Sequence, residues 1–582
     1  MIGAAMALAI AALVPSPARA DNPIVQTSYT ADPAPMVFDG RLYLYTSHDE
    51  DVTVKDFYTM NDWRLYSTTD MVNWTDHGSP AGLKSFSWST DSAWAPQGVA
   101  RNGKFYLYVP LNNNTGARIG VGVSNDAAGP FMDPLGKALA QNGSSNIDPT
   151  VFVDDDQQAY MYWGNGTLRY VKLNSDMVST SGSVTNVALD GFTEGPWFYK
   201  RDKLYYMVYA AGSGSEKISY ATSNAPTGPW TVRGDVMAAG STFTNHPGVI
   251  DYKGHSYFFY HNSALPGGNN YKRSVCVEEF SYGADGSIPK LTMSTKGPSA
   301  VANLNPFLQV EAETIAFSSG LKTEVCSDTG GGMSVTSISN GDYIKVKDVD
   351  FAAGVTSFDA RVSSAASNAK IELHVDSQTG TLLGTCDVSG ASSWTTKTCA
   401  VSGGSGKHDL FLKFSGGSGD LFKFNWWRFT GPSMPDGAGG SGGGSTGTAG
   451  GGGGGGSGNG GSGHAGAAGT TTGMGGSLGT GTGGMTGNAG SSTGGSSVSL
   501  AGASSSGGAP NAGGRAGGSQ GVPGAAGSAP AGSVAGSCAC RAGASANHDR
   551  PAVALWLVAS VLVLRRRRRS ALGRGATRDV KT

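Results

Sequence analysis

The 582-residue chain has little charge for its length. Asp, Glu, Lys and Arg together make up 15% of it, and the formal net charge is −1. A chain so balanced carries no basic footprint for nucleic acid. No stretch of residues 21–295 shows a helical hydrophobic period, which argues against an α or α/β fold. No nucleophilic Ser or Cys motif stands out, so covalent catalysis through either residue is not indicated. The longest C-terminal apolar run, residues 551–564, is short for a membrane span, which usually takes about 20 residues. Cysteine is sparse: Cys276, Cys326, Cys386, Cys399, Cys538 and Cys540. Cys386 and Cys399 fall on neighbouring predicted strands and suit a disulfide, which implies an exported protein.

The residues present are dominated by a repeat. Five times a polar or large residue opens a short apolar run, a turn and an aromatic strand: DPAPMVFDGRLYLY, WAPQGVARNGKFYLY, DPTVFVDDDQQAYMY, EGPWFYKRDKLYYM and HPGVIDYKGHSYFFY. The openers are Asp32, Trp94, Asp148, Glu194 and His246. The first Tyr of each following strand (Tyr43, Tyr106, Tyr160, Tyr205, Tyr257) lies 11 or 12 residues on, so the five openers are expected at one structural position. Short strands repeating every 40–60 residues or so indicate a β-propeller. Residues 21–295 are therefore read as five four-stranded blades with the openers around a central axis. SNDAAGPF (Ser124–Phe131) and SNAPTGPW (Ser223–Trp230) read as the same outer hairpin in two blades.

Residues 307–430 read as a β-sandwich, with strand signals between Gly/Ser turns. Residues 431–536 are Gly, Ser, Thr and Ala with almost no apolar bulk and predict a disordered spacer. At the other end, residues 4–14 are apolar and PSPARA ends in a cleavage-like pattern. This predicts a signal peptide over residues 1–20, although no basic segment precedes it. Residues 537–582 hold Cys538 and Cys540, the short apolar segment, read as a hydrophobic helix, and Arg565–Arg569. An apolar run before an Arg cluster reads as a membrane stop with the Arg end in the cytoplasm.

Three carboxylates converging on an axis are unfavourable unless a substrate or cation uses them. Two carboxyls of opposite protonation state suit hydrolysis of a glycosidic bond. Asp32 could activate water. Glu194, before Gly-Pro-Trp, has an aromatic wall that would raise its pKa and make it the acid, while Asp148 adds a charge that keeps Glu194 protonated.

ADPAPMVFDG, NIDPTVF, EGPWFYK and NHPG resemble glycoside hydrolase family 43, five-bladed propellers that invert anomeric configuration. The resemblance covers residues 25–292. It implies a general base at Asp32, an acid at Glu194, a pKa-modulating and orienting carboxylate at Asp148, and an axial His246 beside a calcium held largely through water. Arg273 resembles an active-site arginine that binds a sugar hydroxyl beside the acid. Trp94, with Phe86 and Trp88 upstream of it, are candidate sugar platforms, and core roles for them stay open. The implied substrates are plant pentose polymers: arabinoxylan, arabinan and xylan. The implied activity is an α-L-arabinofuranosidase or a β-xylosidase, with no organic cofactor and a monomeric enzyme. A non-catalytic surface glycan-binding propeller is the alternative from another class. Retaining fructoside chemistry on the same architecture ranks last, because its Asn-Asp-Pro-Asn motif is replaced by Thr30–Ala34.

QVEAE (Gln309–Glu313), NGDYI and the LFxxNWW ending resemble carbohydrate-binding module family 6, a jelly-roll sandwich. Glu311, Glu313 and Asn425 match its structural calcium site. In its sugar cleft Trp394 matches one aromatic platform. Ser337 and Lys423 stand where a second aromatic residue and an Asn are expected, which predicts weak sugar binding there. The C-terminal segment resembles the tripartite sorting tags of myxobacterial surface proteins, with Cys538 or Cys540 as a processing or lipid-attachment site. That implies display on, or release from, the outer cell surface after the tag is cut.

Overall fold

The computed structural model describes residues 19–54 and 56–432. Most of the expected signal peptide, nearly all of the Gly/Ser spacer, Cys538, Cys540, the C-terminal apolar run and the Arg cluster lie outside the described residues. Within them the chain is all-β, with one 3-10 turn at Leu83–Ser85.

Five antiparallel sheets follow one another. Blade one runs Tyr29–Phe38, Arg41–Asp49, Asp62–Thr68 and Trp74–Asp76. Blade two runs Gln97–Arg101, Lys104–Asn113 and Gly116–Ser124. Its fourth strand is reduced to isolated bridges, Ile119–Ala140 and Val123–Met132. Blade three runs Thr150–Val153, Ala159–Trp163, Leu168–Leu173 and Thr180–Val187. Blade four runs Phe192–Arg201, Leu204–Ala211, Lys217–Ser223 and Thr231–Met237. Blade five runs Gly248–Tyr252, His255–Asn262 and Ser274–Phe280. The expectation of four regular strands per blade thus holds in three blades of five. The N-terminal segment closes the ring: Ile24 N donates to Val275 O (3.0 Å) and Thr30 N to Arg273 O (2.9 Å).

The repeated tyrosines explain the repeated hairpins. Tyr45 donates its hydroxyl to Ala127 O (2.6 Å), and Tyr162 donates to Pro226 O (2.6 Å). Ala127 and Pro226 are equivalent residues of the two SN-initiated hairpins, so a strand in one blade pins the outer corner of the next. A buried phenol needs such a partner.

Blade four departs from the shared register. Tyr205 points back to blade three, where its hydroxyl reaches Asp154 Oδ2 (2.6 Å). Tyr206 points forward to Gly286 O (2.8 Å). Side chains alternate along a strand, so a one-residue slip reverses the face. The slip is taken up by irregular pairing on both sides of Glu194. Equal offsets in sequence therefore conceal a shift of one residue in this copy.

The second unit is a sandwich of two sheets. One is ordered Lys322–Val325, Met333–Thr336, Lys423–Thr430, Val355–Ser363, Thr395–Gly403; the other is Phe317–Ser319, Tyr343–Asp350, Lys407–Ser415, Lys370–Val375, Leu382–Asp387. Their inner faces enclose a core that includes Phe358, Leu373, Leu412, Phe424 and Trp427. The Cys386–Cys399 disulfide joins edge strands of the two sheets. The sandwich is fastened to blade one: Thr314–Ile315 pairs with Thr75 and Trp74, extending that sheet. Lys347 N donates to Asn73 Oδ1 (2.8 Å), Thr323 Oγ1 donates to Asp76 Oδ2 (2.7 Å), and Lys347 Nζ lies 2.8 Å from Asp21 Oδ2.

Candidate active site

Asp32 and Asp148 sit at the axial ends of their blades with left-handed backbones, φ 52° and 59°, each just before a proline. In the blade-four copy the left-handed residue is Gly195 (φ 57°), and Glu194 stands one position earlier. Asp is among the few non-glycine types that take this conformation readily, and irregular pairing at a strand end re-aims side chains. The Asp-Pro and Glu-Gly-Pro motifs therefore turn their carboxyls off the sheets and toward one another, close enough for their charges to interact.

The environments of these carboxyls differ. Asp32 Oδ1 accepts from Arg273 Nη1 (3.1 Å), and Oδ2 accepts from Ser47 Oγ (2.5 Å). Burial alone would push its pKa up, but Arg273, His246, His261 and Ser47 outweigh it and hold it at about 2. Glu194 is raised to about 6, chiefly by burial and then by the charge of Asp32; the Asn165 amide on Oε2 and Arg273 work against that rise. Asp148 is pushed well above the usual carboxylate range by burial, Glu194 and Asp32. Its Oδ2 accepts from Gly195 N (2.9 Å), so it holds the backbone beside Glu194.

Missed in the sequence were Ser47, Asp49 and Asn165, which bond Asp32, Arg273 and Glu194, and two further titratable groups. Glu216 is buried, accepts from Asn245 N (2.9 Å) and is pushed up to about 9 by burial and by Glu194. His261 Nδ1 accepts from Asp32 N (3.3 Å), and its Nε2 faces Thr244 O (2.9 Å), which fixes the proton on Nε2. Neither opens a repeat copy. His261 does fall at the same strand end as Ser47 and Asp49 of blade one, and that register was the available signal.

Two expected sugar contacts, Arg273 and Phe86, are corrected by their burial. Arg273 is only 3% exposed. Its Nε and Nη2 bind Asp49 (2.9 and 3.0 Å), its Nη1 binds Asp32, and its guanidinium stacks 4.7 Å from the Tyr58 ring. Blade one presents two carboxylates to it, so its donors are spent on Asp32 and Asp49 rather than on a sugar hydroxyl. Phe86 is 1% exposed and packs edge-on to Trp63 at 6.0 Å, a core position. Trp88 is half-buried and lines a cleft at the outer edges of blades two and three. Trp94 is half-buried at the opening of blade two and packs on the propeller core. In the sandwich, Trp394 is half-buried with its indole on Ser327 (3.0 Å), Lys423 is ion-paired with Glu324, and Ser337 has a left-handed backbone.

Glu313 is buried with Oε2 unpartnered, and burial together with Glu311 raises its pKa. Asn425, also buried, donates its amide to Asp328 (2.9 Å). An orphaned buried carboxylate oxygen beside a second carboxylate fits a hard cation. On the propeller axis, His246 is buried and its pKa is lowered to about 4, so it is neutral at ordinary pH. Its Nδ1 is 4.0 Å from Asp32 Oδ1. Among the described residues the axial groups form no trio with ligand atoms within 4.8 Å of one another; only His48, Glu50 and Asp62 do. Among the described residues the axial groups thus offer no direct three-ligand cage for a cation.

Comparison with known proteins decides the family. Residues 20–288 match the model for glycosyl hydrolases family 43, and residues 311–431 match carbohydrate binding module (family 6). An arabinoxylan arabinofuranohydrolase of Bacillus subtilis is 36% identical over 476 residues, 70% of this chain and 92% of that protein. The chain belongs to glycosyl hydrolase family 43. Within the family, an arabinoxylan arabinofuranohydrolase of Paenibacillus polymyxa is 34% identical, covering 64% of this chain and 68% of that protein. A xylosidase/arabinosidase of Bacteroides ovatus is 32% identical, covering 46% and 95%. The crystal structure of a family 43 arabinoxylan arabinofuranohydrolase from B. subtilis in complex with cellotetraose superposes with a TM-score of 0.65 at 33% identity, covering 71% of this chain and 97% of that one. This family 43 chain is a glycoside hydrolase whose catalytic propeller is followed by a family 6 module.

Proposed function

We propose that the enzyme removes α-L-arabinofuranosyl side chains from arabinoxylan with inversion of configuration. The observation that carries the mechanism is the split between two axial carboxyls, Asp32 held ionised near 2 and Glu194 raised to about 6. Between those values Asp32 can take a proton from an attacking water while Glu194 gives one to the departing glycosidic oxygen. Arg273, clamped by Asp49, orients Asp32, and Asp148 steadies the backbone at Gly195 beside the acid. Arabinoxylan is favoured because the relatives named for it match across both domains. A β-xylosidase is the second reading, favoured by the xylosidase/arabinosidase named above.

Calcium is proposed at Glu311, Glu313 and Asn425 as a structural ion, and near His246 through water. When bound on the axis it would supply positive charge among the buried carboxyls. The Cys386–Cys399 disulfide supports export, and the C-terminal segment is proposed as a cleaved surface-sorting tag. Time-resolved proton NMR of arabinoxylan hydrolysis tests the function, beside a Glu194→Ala control. Early arabinose of inverted anomeric form, absent in the control, supports it. Xylose selects the second reading. No sugar from arabinoxylan, arabinan or aryl pentosides favours a glycan-binding propeller.

A further inference from the structure

A second concave site lies away from the axial carboxyls. A cleft of about 500 Å³ opens at the outer edges of blades two and three, lined by Trp88, Asn113, Lys137, Gln141 and Thr180 among others. Its volume is in the range of ligand sites, roughly 300–1,000 Å³. Thr180 belongs to the outermost strand of blade three, and residues 137–141 run past the outer strand of blade two. No lining residue bonds Asp32, Asp148, Glu194 or Arg273. Asn113 ends the second strand of blade two, as Asp49 ends that of blade one, so the cleft begins on the catalytic end of the propeller and passes down its side.

Trp88 is held as a platform rather than buried as a plug. Its indole Nε1 donates to Asp133 Oδ2 (2.9 Å), and the ring meets Phe86 edge-on at 6.2 Å. It lies over Gly120, where an added Cβ would stand 3.1 Å from Cζ2 of the ring. The ring is thus fixed before any ligand arrives. Around it are an ammonium, two amides and a hydroxyl, a set that suits a sugar ring stacked on an indole and hydrogen-bonded at its edge. In the appended module Lys423 is paired to Glu324, and Ser337 has a left-handed backbone.

We propose that the Trp88 cleft is a second polysaccharide site, off the catalytic axis, that holds the xylan main chain while the axial site takes an arabinosyl branch. The proposal rests on the xylan-directed reading above. It is tested with the full chain by affinity electrophoresis through gels containing unsubstituted xylan, together with kinetics on arabinoxylan and on an aryl arabinofuranoside. The variants are Trp88→Ala and, because Trp88 also packs on Phe86, the exposed pair Lys137→Ala/Gln141→Ala. The expected result is reduced retardation by xylan and a roughly three- to tenfold rise in the ratio of arabinoxylan KM to aryl-glycoside KM, as loss of one stacking face implies. Unchanged retardation in both variants, or an equal loss on both substrates, would overturn it. Should Trp88→Ala not fold, the surface pair decides. A wild-type chain retarded by xylan yet hydrolysing neither substrate would defeat the proposed function and leave this site standing. Arabinose release with retardation insensitive to the variants would do the reverse.

Discussion

At the scale of single residues, the proposed mechanism depends on four axial carboxyls, three buried and Glu194 half-buried, being held in different protonation states. The activity profile follows from two of them. On the acid side kcat/KM should rise as Asp32 ionises near pH 2, and on the alkaline side it should fall as Glu194 loses its proton near pH 6. Removing Arg273 takes away the main group opposing Asp32's burial, so Arg273→Met should move the acid limb upward, measurable in a kcat/KM profile between pH 2 and 8. If Glu194 is the acid of the proposed mechanism, Glu194→Gln should lower kcat on arabinoxylan by roughly 10²–10⁴-fold. The loss should be much smaller on an aryl arabinofuranoside whose leaving group needs no proton, and a steady-state comparison of the two substrates checks this.

Glu216 gives a prediction of opposite character, in stability. Its pKa is raised from 4.5 to about 9 by burial and Glu194. The stability linked to that shift is fully present below about pH 4.5 and is lost as pH rises toward 9. Glu216→Gln keeps an acceptor for Asn245 N and removes the titration. It should raise the Tm at pH 8 relative to wild type and flatten the Tm profile above pH 4.5, as calorimetry would show. Asp32 has the reverse sign: its lowered pKa contributes stability above about pH 3.8 that disappears as pH falls through 2.

At the scale of elements, blade contacts are close enough to be sensitive to one carbon. An added Cβ at Gly98, on the innermost strand of blade two, would stand 2.3 Å from the Tyr45 ring. That ring cannot retreat without losing its bond to Ala127 O. Gly98→Ala should therefore cost about 1–3 kcal/mol, the usual cost of overpacking a filled core, read by urea denaturation. Glycine in this repeat copy is set by the approach of the neighbouring blade, which the strand pattern alone does not reveal. The same holds for the blade-four register: a period of two predicts that a strand exists there, but irregular pairing around Glu194 decides which tyrosine faces which blade.

At the scale of the whole molecule, propeller and sandwich share a sheet through Thr314–Ile315, and Glu313 directly precedes that strand, its carbonyl accepting from Asp76 N of blade one (3.3 Å). Asp76 of blade one is among the charges that raise its pKa. A cation at Glu313 would thus neutralise charge at the junction itself. Chelation with EDTA should lower the unfolding temperature of the wild type, calcium should restore it, and Glu313→Gln should abolish that response. Calorimetry with and without calcium measures all three.

By itself the sequence determined the all-β class, the five-copy repeat, the second sandwich domain, and the residues Asp32, Asp148 and Glu194. These follow from local rules: strand alternation, turn chemistry, and Asp-Pro or Glu-Gly-Pro motifs that recur at nearly constant spacing. The tertiary structure alone decided what surrounds those carboxyls. Arg273 and His261 lie 241 and 229 residues from Asp32 in the chain, and Glu216 approaches Glu194 from beyond its own blade's second strand. It also decided that Arg273 pairs with Asp32 and Asp49, that Phe86 is core, and that Trp88 opens on a cleft away from the axis. Those outcomes depend on which faces of distant strands meet, because burial and charge proximity, not residue type, set a pKa or expose a ring.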